Sequence, residues 1–108
     1  MNLFDHFSLK TKYFHITDRT AAIELNRYLL NWLPNQNIEV IILCIGSDKA
    51  TGDSLGPLTG TFIQQKDIKN IHIFGTLAKP VHALNLNETI RHIEETYNSP
   101  YIIAIDAC

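Results

Sequence analysis

Hydrophobic and polar residues recur along the chain with periods that predict three helices alternating with three strands. Residues 17–33 carry apolar side chains at steps of three and four, which predicts a helix with one buried stripe made of Ala22, Leu25, Leu29 and Trp32. Thr17 or Asp18 is placed to cap this helix, and Pro34 ends it. Residues 1–16 mix aromatic and polar side chains without a clean period. We interpret them as a loosely specified N-terminal arm.

Three short aliphatic segments predict the strands. Residues 38–45 form a nearly continuous, β-branched run, typical of a strand covered on both faces, and residues 71–74 and 101–105 form two more. Helices between the strands make the order αβαβαβ, which predicts a parallel sheet with helices on both faces. We expect the strand order 2-1-3, with the first strand in the centre.

The second and third helices also carry apolar sides. The second ends near Gln65 and has one side formed by Leu55, Leu58 and Phe62. In the third, Asn85 and Glu88 have the spacing of a capping box. The apolar face of the third helix consists of Leu86, Ile90, Ile93 and Tyr97.

Composition narrows the classes of protein that this chain can represent. Nine Lys and Arg against 11 Asp and Glu give a net charge of −2, without the basic excess that a nucleic-acid surface needs. The longest aliphatic run, residues 40–45, is too short for a membrane span, and the first residues do not resemble a secretory signal, so we expect neither. Cys44 lies inside a predicted core strand, while Cys108 has no evident base that would make it a nucleophile. We expect a soluble, cytoplasmic protein.

A glycine-bearing loop follows the first predicted strand. Five residues separate Gly46 from Gly52, and Asp53-Ser54 stands where a phosphate-binding loop would have Lys and Ser or Thr. Because a carboxylate repels phosphates, we do not expect nucleotide binding. Gly46, Gly52 and Gly56 are expected to let the loop backbone turn tightly and approach a substrate.

Two aspartates follow strands at the edge of the sheet where parallel α/β folds bind ligands. Asp53 comes after the first strand and Asp106 after the third. Such a pair can share a proton and activate water, or both carboxylates can stay ionised and bind a cation. Alternatively, Asp53 or Ser54 simply caps the second helix, and Asp106 caps the loop or helix that follows the third strand. His82, in the loop after the second strand, is either a polar loop residue or a ligand, acid–base or substrate contact.

Three segments resemble the YyaC sporulation proteins of spore-forming Firmicutes. They are residues 44–58 (CIGSDKATGDSLGPL), 75–86 (GTLAKPVHALNL) and 103–108 (IAIDAC). This group is similar to the spore germination protease, an atypical aspartic protease that degrades the small acid-soluble proteins coating spore DNA. The two aspartates of that enzyme fall on Asp53 and Asp106. Hydrogenase-maturation endopeptidases are similar at a greater distance and bind nickel in their substrate through acidic residues at these two positions.

The resemblance implies a three-layer α/β/α, phosphorylase/hydrolase-like fold and a sporulation or germination endopeptidase with Asp53 and Asp106 as the catalytic pair. Further hydrogen bonds or contacts to a peptide substrate are expected from Gly52, Ser54, Thr76 and His82. No cofactor is expected, unless the two aspartates hold a divalent metal. Two competing hypotheses are an inactive binding or scaffold protein of the same fold and a metal-dependent maturation peptidase.

The resemblance also bears on domain organisation, location and partners. We expect residues 1–108 to form a single peptidase-like domain that is truncated at its C-terminus, so that they represent the N-terminal portion of the fold. The implied location is the forespore or spore core. The expected partners are a protein or peptide substrate and, through the free edge of the third strand, a second copy of the chain; nucleic acid and membrane are not expected.

Overall fold

The computed structural model describes most of the chain, namely residues 12–15, 17–32, 37–47, 49 and 51–107. Most of the predicted N-terminal arm, Pro34, Cys108 and the side chain of Trp32 lie outside the described residues. The chain divides into two compact units, Met1–Leu33 and Pro34–Cys108. Within the described residues, no helix is long and apolar enough to span a membrane.

The first unit contains helix α1, Ala21–Trp32. The helix begins at Ala21, later than the predicted start near Thr17 or Asp18. The Asp18 carboxylate accepts hydrogen bonds from the backbone N–H (3.0 Å) and the hydroxyl (2.9 Å) of Thr20, so it stabilises the turn before the helix instead of capping the helix itself. These bonds favour the ionised form and lower the pKa of Asp18. The predicted buried stripe is wrong at Ala22 and Leu25, which are exposed, because a helical period identifies a shared face and not what covers it.

The second unit contains the remaining predicted elements in the predicted order. They are β1 (Val40–Ile45), α2 (Leu55–Gln64), β2 (Ile71–Phe74), α3 (Leu86–Thr96) and β3 (Tyr101–Asp106). A single turn of 3-10 helix, Thr51–Asp53, precedes α2 and was not predicted. The chain is therefore an α/β protein.

The sheet has the order β2-β1-β3, and both pairings are parallel, which confirms the predicted topology. Val40 of β1 pairs with Ile71 on one side and Tyr101 on the other, and Ile45 pairs with Asp106. Asp106 is therefore the last residue of β3 and not the first residue after it. The central position of β1 explains its continuous aliphatic sequence, because both of its neighbours are strands and its middle residues are buried.

One face of the sheet holds a hydrophobic core. Ile41 and Leu43 of β1 form a buried cluster with Val81 and Ile93. Three residues of the predicted apolar face of α3 are partly buried against this cluster: Leu86, Ile90 and Tyr97. The period of α3 therefore predicted its buried face correctly.

The capping box predicted for α3 is absent. Asn85 stands at the N-cap, but its side chain makes no cap hydrogen bond. Its Nδ2 donates to the Pro80 carbonyl (3.1 Å), and its Oδ1 accepts from the His82 backbone N–H (2.8 Å). Asn85 therefore fastens the preceding loop instead of capping the helix.

Helix α2 packs through its small residues. Gly56, Pro57 and Gly60 are buried, and a Cβ at Gly60 would lie 3.2 Å from the Cys44 sulfur. The apolar side predicted for this helix is instead exposed, at 56% for Leu55, 41% for Leu58 and 64% for Phe62.

Candidate functional site

Asp106 lies at the carboxyl end of β3. Burial alternates along this strand, with Ile102, Ala104 and Asp106 exposed and the residues between them half-buried. The backbone of Asp106 is thus held by strand pairing, and the residue is exposed to solvent. Its backbone partner is Ile45, the last residue of β1.

Asp53 ends the 3-10 turn and is half-buried. Its carbonyl oxygen accepts a hydrogen bond from the Ser47 N–H at 2.9 Å, which holds the turn against the end of β1. Gly46 makes this approach feasible: its φ is +151°, and a Cβ there would collide with the Asp53 carbonyl oxygen. Only glycine avoids both the strain and the collision.

The structure therefore brings both aspartates to the residues that end β1. Asp106 pairs with Ile45 on one side, at the roughly 4.8 Å spacing of neighbouring strands. On the other side, Ile45 bridges to Val81 and the next residue, Gly46, donates to the Val81 carbonyl at 2.8 Å. The chain leaves β1 towards β2 on one side and reaches β3 on the other, so this edge is the switch point at which open α/β sheets bind ligands.

Three glycines were predicted to shape the loop, and neighbouring backbone atoms leave no room for a side chain at Gly46 and Gly56 but do leave room at Gly52. A Cβ at Gly56 would collide with the Ile45 carbonyl oxygen, whereas one at Gly52 would meet nothing within 4 Å. Packing within the chain therefore does not require glycine at position 52, and the expected approach of its backbone to a substrate stays a prediction. Gly52 is exposed beside Asp53.

Ser54 follows Asp53 and occupies the N-cap of α2. Its side chain makes no cap hydrogen bond, although its carbonyl accepts from the Leu58 N–H at 3.0 Å. The capping interpretation of the Ser54 hydroxyl is therefore wrong.

His82 is half-buried in the loop that leads to α3. Its Nδ1 accepts a hydrogen bond from the Leu84 N–H at 3.2 Å, so the neutral ring carries its proton on Nε2. That N–H can donate to a ligand, while the other ring nitrogen serves the loop.

Thr76 is buried, at 6% exposure, and lines an open cavity of about 400 Å³ beside β2. Lys79 and Asn85 line the same cavity. Of the residues predicted for the site, Thr76 is the only one among the described residues that line it. Sequence reasoning missed Lys79 and Asn85 as residues of a cavity, although both lie in the segment 75–86 that carries the resemblance.

Cys44 and the pair of His72 and Glu39 have structural contacts that account for them without a role in the site. Burial raises the pKa of the Cys44 thiol, which is fully inaccessible, so this cysteine is the core residue that was predicted. His72 Nε2 lies 2.6 Å from the Glu39 carboxylate, and its ring packs 4.5 Å from that of Tyr97. Within the described ranges, no cluster of three or more His, Cys, Asp or Glu side chains could hold a metal ion.

Comparison with known proteins shows the family. A model of the family described as "Protein of unknown function (DUF1256)" matches residues 13–108. The chain belongs to the DUF1256 family. It is 39% identical over 98 residues to the uncharacterized protein YyaC of Bacillus subtilis (strain 168), a match that covers 90% of this chain and 48% of YyaC. The chain thus spans about half the length of this curated relative. No solved structure matches it at a significant level.

The DUF1256 match confirms the YyaC-type resemblance, and the likeness to the germination protease stays a prediction. The three segments that carried the resemblance lie within the matched residues. In this DUF1256 chain each of them contains or directly follows the carboxyl end of a strand, at Ile45, Phe74 and Asp106. The three segments therefore converge on one edge of the sheet.

Proposed function

We propose that this DUF1256 protein is a sporulation- or germination-associated peptide hydrolase, acting on small spore proteins in the forespore or spore core. Asp53 and Asp106 form its acid–base pair, and water is the nucleophile. The observation that supports the proposal is the placement of both aspartates at the residues that end β1, at the switch point of the sheet.

The chemistry needs one ionised and one protonated carboxyl group. The ionised carboxylate takes a proton from water as the water attacks the peptide carbonyl carbon. The protonated carboxyl then donates its proton to the leaving amine.

The two backbones suit this task because each is held by structure. Asp106 belongs to a strand that pairs along its length with β1, and Asp53 is held by the bond from the Ser47 N–H and the approach at Gly46. Groups on rigid elements keep their geometry through a reaction. In the proposed mechanism, Gly52, Ser54, Thr76 and His82 contact the substrate peptide.

The test incubates the purified chain with small acid-soluble spore proteins and identifies products by mass spectrometry. We expect cleavage that is lost in Asp53→Asn and in Asp106→Asn. Asp67→Asn is the matched control, because Asp67 is exposed in the turn after α2 at a φ of +48°, which asparagine tolerates. Far-UV circular dichroism checks that all three variants fold.

Divalent metals are varied in the same assay. Cleavage that EDTA abolishes and nickel or zinc restores would support a metal-dependent peptidase, with Asp53 and Asp106 as ligands. Absence of cleavage by the folded wild type, with and without metals, would overturn the hydrolase proposal in favour of a binding or scaffold protein. Cleavage retained by both asparagine variants would overturn the assignment of the pair.

A further inference from the structure

The cavity beside β2 is built by three parts of the second unit. Gln64 at the end of α2 forms one wall, Asn85 and Thr89 at the start of α3 form another, and residues 73–76 and 79–81 complete the lining. Its volume of about 400 Å³ falls in the range of small-molecule sites, roughly 300–1,000 Å³. We call it the Lys79 cavity.

The charged side chain that lines the Lys79 cavity is positive. Lys79 contributes an ammonium group, and no Asp or Glu is among the described residues that line the cavity. The chain as a whole carries a net charge of −2, so this surface differs in sign from the average of the molecule. An ammonium group without a neighbouring carboxylate favours an anion and disfavours a cation.

The polar groups around Lys79 can donate hydrogen bonds. The Thr76 oxygen accepts from the Lys79 backbone N–H at 3.2 Å, which leaves its hydroxyl proton to donate. The Asn85 amide uses one of its two N–H groups on the Pro80 carbonyl, which leaves the other. Buried or partly buried donors of this kind bind an anionic oxygen more strongly than a neutral one.

Apolar side chains complete the lining. Phe74, Pro80 and Val81 face the cavity together with the polar groups. A ligand with a short hydrocarbon body and a charged end satisfies both kinds of surface, and this mixture is typical of small-molecule sites.

We propose that the Lys79 cavity binds a small anionic ligand whose carboxylate or phosphate group is held by the Lys79 ammonium and the Thr76 hydroxyl. The inference does not depend on the proposed catalytic pair, because neither Asp53 nor Asp106 lines the cavity. Thr76 is the one residue that the cavity shares with the substrate contacts proposed for the hydrolase.

Isothermal titration calorimetry of the full chain tests the proposal with three probes. Glutarate supplies carboxylates, inorganic phosphate supplies a phosphate, and glutaramide is the neutral counterpart of glutarate. We expect saturable binding of at least one anion at concentrations up to about 10 mM and none of glutaramide. The anion that binds distinguishes a carboxylate ligand from a phosphate ligand.

The variants separate the cavity from general electrostatics. Lys79→Gln is expected to weaken binding at least about tenfold, because it removes the charge from the charge-assisted hydrogen bond to the anion. Lys66→Gln, at an exposed lysine that does not line the cavity, removes the same charge and is expected to leave binding unchanged. Thr76→Val tests the hydroxyl.

Three results would overturn the proposal: no saturable binding of either anion, equal binding of glutaramide, or equal losses in Lys79→Gln and Lys66→Gln. Lys79 is exposed, so its replacement leaves the fold intact and the result remains interpretable even where Thr76→Val is destabilised.

Discussion

Gly46→Ala is a substitution for which the structure predicts a large loss of stability at the candidate site. The backbone at Gly46 has a φ of +151°, a region that costs a residue with a side chain roughly 1–3 kcal/mol. The new methyl group also collides with the Asp53 carbonyl, so the hydrogen bond from Ser47 must lengthen or break, at a further cost of about 0.5–1.5 kcal/mol. We therefore expect the free energy of unfolding to fall by about 1.5–4.5 kcal/mol, a large part of the roughly 5–15 kcal/mol typical of a domain.

Urea unfolding followed by far-UV circular dichroism measures this loss, with Gly52→Ala as the control. Gly52 lies in the same loop, but its φ is not positive and a Cβ there meets nothing within 4 Å. We expect Gly52→Ala to change the free energy of unfolding by no more than about 0.5 kcal/mol. Equal shifts of the two midpoints, or no shift in Gly46→Ala, would refute the steric reasoning.

Three further predictions concern the core. Ile93→Ala is expected to lower the free energy of unfolding by about 2–5 kcal/mol because Ile93 is fully buried. Ile102→Ala is expected to lower it less, because Ile102 is 40% exposed, and equal losses of the two variants in urea unfolding would contradict this. Cys44 is expected to resist iodoacetamide until urea unfolds the protein, as followed by mass spectrometry of its peptide; rapid native labelling would contradict its burial. Burial raises the pKa of Cys44 in the folded state, so the difference in free energy of unfolding between wild type and Cys44→Ala is expected to depend on pH. The difference is expected to stay constant below the unfolded thiol's pKa of about 8.5 and to shrink as the pH rises above it. A difference that grows with pH would refute this.

The topology of the sheet could be predicted because each of its determinants is local in the sequence. The continuous aliphatic run of β1 requires cover on both faces, and the helices between strands require parallel connections. Once β1 is central, Asp53 and Asp106 must come to the same edge, which is why this part of the candidate site was predictable. The contacts around Asp53 were not, because they depend on the path of the loop between Gly46 and Gly52.

The Lys79 cavity shows what remains beyond sequence reasoning. It depends on how the loop between β2 and α3 folds back on itself, through the bonds of Asn85 to Pro80 and to His82. The spacing of Asn85 and Glu88 indicated a capping box, yet the same amide satisfies loop groups instead. Local spacing cannot decide between two sets of partners that lie within a few residues of one side chain.

Helix α2 shows the same limit for packing. Its large apolar residues share a side, so the hydrophobic pattern alone favours that side as the buried one. The helix instead packs on the sheet through the side that carries Gly56 and Gly60, where a Cβ would meet the Ile45 carbonyl or the Cys44 sulfur. Small residues let the helix approach the strand backbone closely and bring the start of α2, with Asp53 before it, to the end of β1. In this chain the geometry of the candidate site therefore depends more on the positions of the glycines than on the positions of the large hydrophobic residues.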